Sequence, residues 1–191
     1  MAALPPGLDA DGWVVGVRQL PSENCDERPP AVPVELLVLH NISVPPGHFG
    51  TGCIERLFRN ELETGAHPFL ELLLGMRVSA HFLIERDGRI TQFVSCRRRA
   101  WHAGASVFEA RTRCNDFSVG IELEGADFIA FEPAQYTALA QLASTLRTVL
   151  PLRAVRGHSH IAPGRKTDPG PLFDWRRFAL QAGLPADWLP S

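Results

Sequence analysis

The segment Glu35-Leu36-Leu37-Val38-Leu39-His40 constrains the fold most. It is an unbroken apolar run bracketed closely by Pro33 and by Pro45-Pro46. A helix needs more length than the prolines leave, and a half-exposed strand would alternate apolar with polar residues. The run therefore predicts a strand buried on both faces, which requires a sheet with covering layers on either side. His40 stands where this strand leaves the core, and a strand end is a rigid place from which to present a ligand.

The rest of the chain supplies a sheet and its covers. Trp13 to Gln19 carries enough β-branched character for a short strand, and the Pro-rich run from Arg28 to Pro33 then breaks regular structure. Ile54, Leu57 and Phe58 mark a short amphipathic helix over Cys53 to Leu62, while Ala66 to Gly75 has no clear period. Two strand-like runs, Ser79 to Glu85 and Arg89 to Val94, flank Asp87-Gly88, a strong hairpin signal. Asn115 to Gly125 alternates, with Val119, Ile121 and Leu123 on one face and Gly120, Glu122 and Glu124 on the other. Pro133 opens a helix running to about Leu150 with Tyr136, Leu139, Ala140, Ala143 and Leu146 along one stripe, and Asp174 caps a last helix holding Trp175, Phe178 and Ala179. The expectation is an α/β fold in one domain over 1–191, with its core at about 13–180: a mixed central β-sheet flanked by helices, not a dinucleotide-binding domain.

The chemistry concentrates in Gly157 to Gly170 (GHSHIAPGRKTDPG), which packs His158, His160, Lys166 and Asp168 between glycines and prolines. That density of breakers predicts a shaped loop without regular helix. His158 and Asp168 can supply two of the three protein ligands of a catalytic zinc, and the third must come from elsewhere in the fold. His40 is a candidate, against its reading as a hydrogen-bonded core histidine, and His160 could compete with His158. His81 and His102, in or beside strands, could line a pocket. Hydrolysis also needs a general base, for which Glu122 and Glu124 are equal candidates against a solvated strand face. Lys166 could place an ammonium near a developing oxyanion. The Arg97-Arg98-Arg99 run reads as solvated, although an acidic substrate would be drawn to it.

Composition excludes several classes. A net charge of -2 gives no footprint for nucleic acid. No apolar run approaches the roughly 20 residues that span a bilayer, so no membrane partner is expected. Cys25, Cys53, Cys96 and Cys114 form no CxxC pair, and MAALPPGLDADGW lacks the pattern of a secretory signal, so the expectation is a cytosolic protein with free thiols.

Five ordered blocks carry a resemblance: LVLHNIS (Leu37 to Ser43), RVSAHFLIERDG (Arg77 to Gly88), AWHAG (Ala100 to Gly104), RCNDFSVGIELEG (Arg113 to Gly125) and GHSHIAPGRKTDPGP (Gly157 to Pro171). Together they resemble the zinc-dependent N-acetylmuramoyl-L-alanine amidases, most closely the cytosolic recycling type that acts on 1,6-anhydro-N-acetylmuramyl peptides. The resemblance implies a fold shared with the peptidoglycan-recognition proteins and a Zn2+ site of His40, His158 and Asp168. It implies Glu122, not Glu124, as general base and Lys166 as the residue that stabilises the transition state. It places Asn41, Arg77, Trp101 and His102 in the substrate groove. The implied reaction is hydrolysis of the amide between the lactyl group and L-alanine of a small muropeptide; a monomer is expected. The chain departs from the family at Phe69, where a Tyr is common, and at His160. The rivals are an amidase of intact peptidoglycan, which the start of the chain argues against, and a non-catalytic muropeptide-binding module. Such a module would be expected to lose a ligand or Glu122; a zinc peptidase would need HExxH.

Overall fold

The computed structural model describes residues 7–190 apart from 64 and 66, so Ala66 lies outside the described residues. In chain order the elements are β1 (Arg18–Gln19), β2 (Cys25–Glu27), β3 (Leu36–Ile42), α1 (Cys53–Phe58), α2 (Pro68–Glu71), β4 (Phe82–Ile84), β5 (Ile90–Gln92), β6 (Arg98–Ala100), β7 (Val107–Phe108), β8 (Arg111–Thr112), β9 (Ser118–Glu124), α3 (Pro133–Val149), β10 (Ala154–Gly157), α4 (His158–Ile161) and α5 (Trp175–Ala182). Six strands join in the order β1-β5-β4-β9-β3-β10. Only the β4–β5 hairpin is antiparallel within this sheet; the other four pairings are parallel. The mixed sheet expected from the strand pattern is therefore present.

The proline-bracketed run forms β3, an inner strand whose Leu36, Leu37, Val38 and Leu39 are all fully buried. Burial of such side chains contributes roughly 1.5–3 kcal/mol each. Leu37, Leu39, Val119, Ile121 and Val155 share a core cluster with Leu139, Leu142 and Leu146 of α3 and Phe178 of α5. Leu36, Val38 and Ala154 face the other way, onto Ala103, Phe108 and Phe117. Further along that second face, Leu83 packs with Ile54, Leu57 and Phe58 of α1. Period-2 alternation carries His40 and Glu122 onto this same face, away from α3.

Local breakers trim what the pattern suggested. The Trp13–Gln19 run is a strand only at Arg18–Gln19, because Gly16 adopts φ 79° and turns the chain; Val14 makes only an isolated bridge to Leu8. Helix α1 stops at Phe58, four residues short of the expected Leu62, as Asn60 turns to φ 62°. One expectation is corrected outright. The site loop begins with a helical turn, α4, closed by the Ala162 N–H donating to the His158 carbonyl at 2.9 Å. The constraint from Pro163 falls only beyond this turn, so the glycines and prolines shape the second half of the segment and not its start. Asp174 caps α5 as expected, accepting from the Arg177 N–H at 2.9 Å.

Candidate active site

Strand register assembles the site. Leu39 pairs with both Ile121 and Gly157, and His40 pairs with Glu122. His40, Glu122 and His158 thus emerge side by side at the carboxyl ends of three adjacent parallel strands, where sites of open α/β sheets lie. The loop after α4 returns Asp168 to them, held by the Ser159 N–H donating to the Asp168 carbonyl at 2.9 Å.

His40 Nδ1, His158 Nδ1 and Asp168 Oδ2 approach one another at 3.0, 2.9 and 3.1 Å. Donors at about 2.0–2.1 Å around one tetrahedral ion stand roughly 3.3 Å apart, so three such atoms enclose a space of metal size. His158 Nε2 lies 3.0 Å from the Ala103 carbonyl, which can only accept; the ring proton sits there and Nδ1 turns a lone pair inward. The three residues form a group able to hold a metal ion. Burial lowers the pKa of His40 to about 4, assisted by His158 and Lys166 and opposed by Asp168, which keeps the imidazole neutral as a ligand requires. Asp168 is held well below the usual carboxylate range: burial pushes it up, but hydrogen bonds from His158 and His40 outweigh that.

Glu122 is half-buried as a residue, yet its Oε2 is enclosed and has no hydrogen-bond partner among the described residues. Burial, then the Asp168 carboxylate, pushes its pKa well above the ordinary value, with Lys166 opposing. Glu124 is buried too, but its carboxylate is spent: Oε1 accepts from the Gly50 N–H at 2.6 Å and Oε2 from the Arg86 N–H at 3.3 Å. Neither is on a solvated face. The two glutamates, equal on alternation alone, thus differ in their hydrogen bonding.

A cavity of about 260 Å³ joins these groups, lined by His40, Glu122, His158, Lys166 and Asp168 and walled by Phe58, Phe69, Leu73 and Val78. Asn41, Trp101 and His102 also line it, and Asn41 Nδ2 donates to Asp127 Oδ1 at 2.7 Å. Arg77 is exposed and lines a neighbouring cavity with Asn60, Leu62 and Leu74, whereas Val78 and Ser79 line the cavity of the histidines. His160 stays outside the ligand group; its Nδ1 accepts from the Gly157 N–H at 3.0 Å and its ring stacks edge-on against Trp175. Phe69 presents an apolar ring to the cavity. Arg99 is taken up by Asp26 and Asp116, both at 2.5 Å, so it is structural. Asn115, Ser118 and Asp127, which support site residues here, were not singled out in the sequence; their contacts join segments 12 to 86 residues apart.

The chain is similar to known proteins of one family. The family profile described as N-acetylmuramoyl-L-alanine amidase matches residues 30–171. A 1,6-anhydro-N-acetylmuramyl-L-alanine amidase, AmpD, of Salmonella typhimurium (strain SL1344) is 53% identical over 179 residues, 93% of this chain and 96% of that protein. A crystal structure of a selenomethionine AmpD derivative superposes with a TM-score of 0.88 at 50% identity, covering 92% of this chain and 98% of that one. The AmiD amidase of E. coli, solved with anhydro-N-acetylmuramic acid-L-Ala-D-gamma-Glu-L-Lys, gives a TM-score of 0.61 at 32% identity, covering 84% of this chain and 62% of that one. A profile match spanning most of the chain, and half-identity to a relative along nearly its whole length, place this protein in the N-acetylmuramoyl-L-alanine amidase family.

Proposed function

We propose that this protein hydrolyses the amide bond between the lactyl group of 1,6-anhydro-N-acetylmuramic acid and L-alanine, in the recycling of peptidoglycan fragments in the cytosol. The observation that carries the reading is the enclosed, unpartnered Oε2 of Glu122 beside a His40–His158–Asp168 donor set in one cavity. The donor set suits zinc: two imidazole nitrogens and a carboxylate oxygen, which leave a fourth position open. When bound, zinc supplies Lewis acidity to a carbonyl oxygen and acidity to water.

The chain's own residues do the rest. Glu122, whose proton affinity is raised by burial, takes a proton from the attacking water as hydroxyl adds to the lactyl carbonyl carbon. Lys166 lines the same cavity and sets its ammonium against the oxyanion that develops. Glu122 then returns the proton to the alanine nitrogen as the C–N bond breaks, so one water is consumed and a carboxylic acid and an amine leave. Asn41 and Trp101 contact the substrate from the cavity wall, and Phe58, Phe69 and Val78 exclude water from the reacting bond. With no phenol at position 69, Lys166 is the side chain of this cavity that carries the oxyanion. The protein acts as a monomer.

The test is mass spectrometry of zinc-loaded protein incubated with equal amounts of anhydro- and reducing-end muramyl tripeptide. Free tripeptide from the anhydro compound alone is expected. Equal cleavage of both would replace the reading with a general amidase, and binding without cleavage would replace it with a recognition module.

A further inference from the structure

The short segment Trp101–Gly104, between β6 and β7, touches both metal-facing histidines from behind. His102 is 9% exposed and both its ring nitrogens are engaged: Nδ1 lies 3.0 Å from His40 Nε2, and Nε2 lies 3.2 Å from Ser118 Oγ. The next residue, Ala103, offers its carbonyl to His158 Nε2 at 3.0 Å. Asn115 pins the segment, its Oδ1 accepting the N–H groups of His102 at 3.3 Å and Ala103 at 2.8 Å. The ring of His102 rests on β9 where there is no side chain, since a Cβ on Gly120 would come within 2.4 Å of His102 Cγ.

The two supports differ in kind. A carbonyl accepts only, so it compels His158 to carry its proton on Nε2. His40 has another imidazole as its partner, which can accept or donate, and the Ser118 hydroxyl beyond it can do either as well. If His102 Nδ1 accepts, His40 presents a bare Nδ1 to the metal position. If His102 donates, His40 Nδ1 holds a proton aimed at Asp168, and the site is closed to a metal.

We infer that His102 is a positioning residue rather than a substrate contact: seated on Gly120 and held by Asn115 and Ser118, it accepts from His40 Nε2–H and so fixes the tautomer in which His40 binds metal. One four-residue segment thereby orients both histidine ligands, through the His102 ring and the Ala103 carbonyl. The inference rests on the metal centre proposed above. Groups that hold ligating histidines typically change metal affinity by about 10–100-fold when removed.

The experiment has two readouts, neither of them turnover. Two-bond 1H–15N correlation on zinc-loaded protein with labelled histidine is expected to show His102 and His40 each protonated on Nε2 only. A proton on His102 Nδ1 would overturn the inference without any variant having to fold. Chelator competition then measures zinc dissociation. His102→Phe, which fills the space without an acceptor, is expected to bind about 10–100-fold more weakly. Asn115→Ala should weaken binding less, and His102→Asn, which returns an acceptor near the Nδ1 position, should recover part of the loss. Parent-like affinity in His102→Phe would overturn the inference. Zinc stoichiometry of the parent reads the metal centre itself, whereas the variant-to-parent ratio reads the support, so the two fail separately.

Discussion

Glu122 and Glu124 occupy one face of one strand and acquire opposite chemistry from their neighbours. Glu124 gives both oxygens to backbone N–H groups, while Glu122 leaves Oε2 enclosed and unpaired. Glu122→Gln keeps the shape and removes the proton acceptor; turnover is expected to fall by about 10²–10⁴-fold with zinc content unchanged. Near-parental turnover with zinc in place would reassign the base. His81 shows burial acting on a histidine outside the metal cluster. It is fully buried, its Nδ1 accepts from the Gly120 N–H at 3.0 Å, and burial followed by the Arg28 charge lowers its pKa from 6.5 to about 3. Because the folded value is depressed, the unfolded chain takes up the proton first, and stability falls as pH drops from 6.5 towards 3. In His81→Asn, denaturant titrations across that window should show a slope against pH smaller by up to about 1.4 kcal/mol per pH unit, one proton's worth. An unchanged slope would mean that His81 is protonated in the folded state.

At the scale of elements, β9 is the strand on which the site depends, and it carries a glycine in its interior. Glycine there weakens a strand by itself, and marks a close approach; the approaching group is the His102 ring. Gly120→Ala is expected to destabilise the protein by about 1–3 kcal/mol in equilibrium unfolding, through forced displacement of that ring. A neutral result would show that the ring moves freely. Elements with strong local signals were legible from sequence: β3 from its prolines, the β4–β5 hairpin from Asp87-Gly88, and α3 from Pro133 and its apolar stripe. Those that turn on one backbone angle were not. Gly16 shortens the first strand, and α4 fits its single turn between Gly157 and Pro163, where periodicity cannot register it. Arg77 was expected in the groove because its block resembles the family; packing brings it to a neighbouring cavity and puts Val78 and Ser79 on the wall of the one that holds the histidines.

At the scale of the whole molecule, parallel register gathers residues more than 80 positions apart onto one edge of a rigid sheet. Among the described residues, no helix is long and apolar enough to cross a membrane. A metal bound by the folded protein alone stabilises it by about 4 kcal/mol at a thousandfold excess over its dissociation constant, which in a domain of this size moves the melting temperature by roughly 8–16 °C. Removing zinc with dipicolinate should lower the Tm by an amount of that order and adding zinc should restore it; no shift would argue against the metal centre. The amino-acid sequence by itself determined the sheet with two covered faces, because prolines and apolar runs act locally, and it put the family's residue types at His40, Glu122, His158, Lys166 and Asp168 in order along the chain. Only the tertiary structure decided which nitrogen of each histidine faces inward, which glutamate is left unpaired, that His160 turns away to Gly157 and that His102 lies behind His40. Those outcomes depend on hydrogen bonds and close contacts between segments far apart in the chain, and such contacts exist only once the sheet has formed.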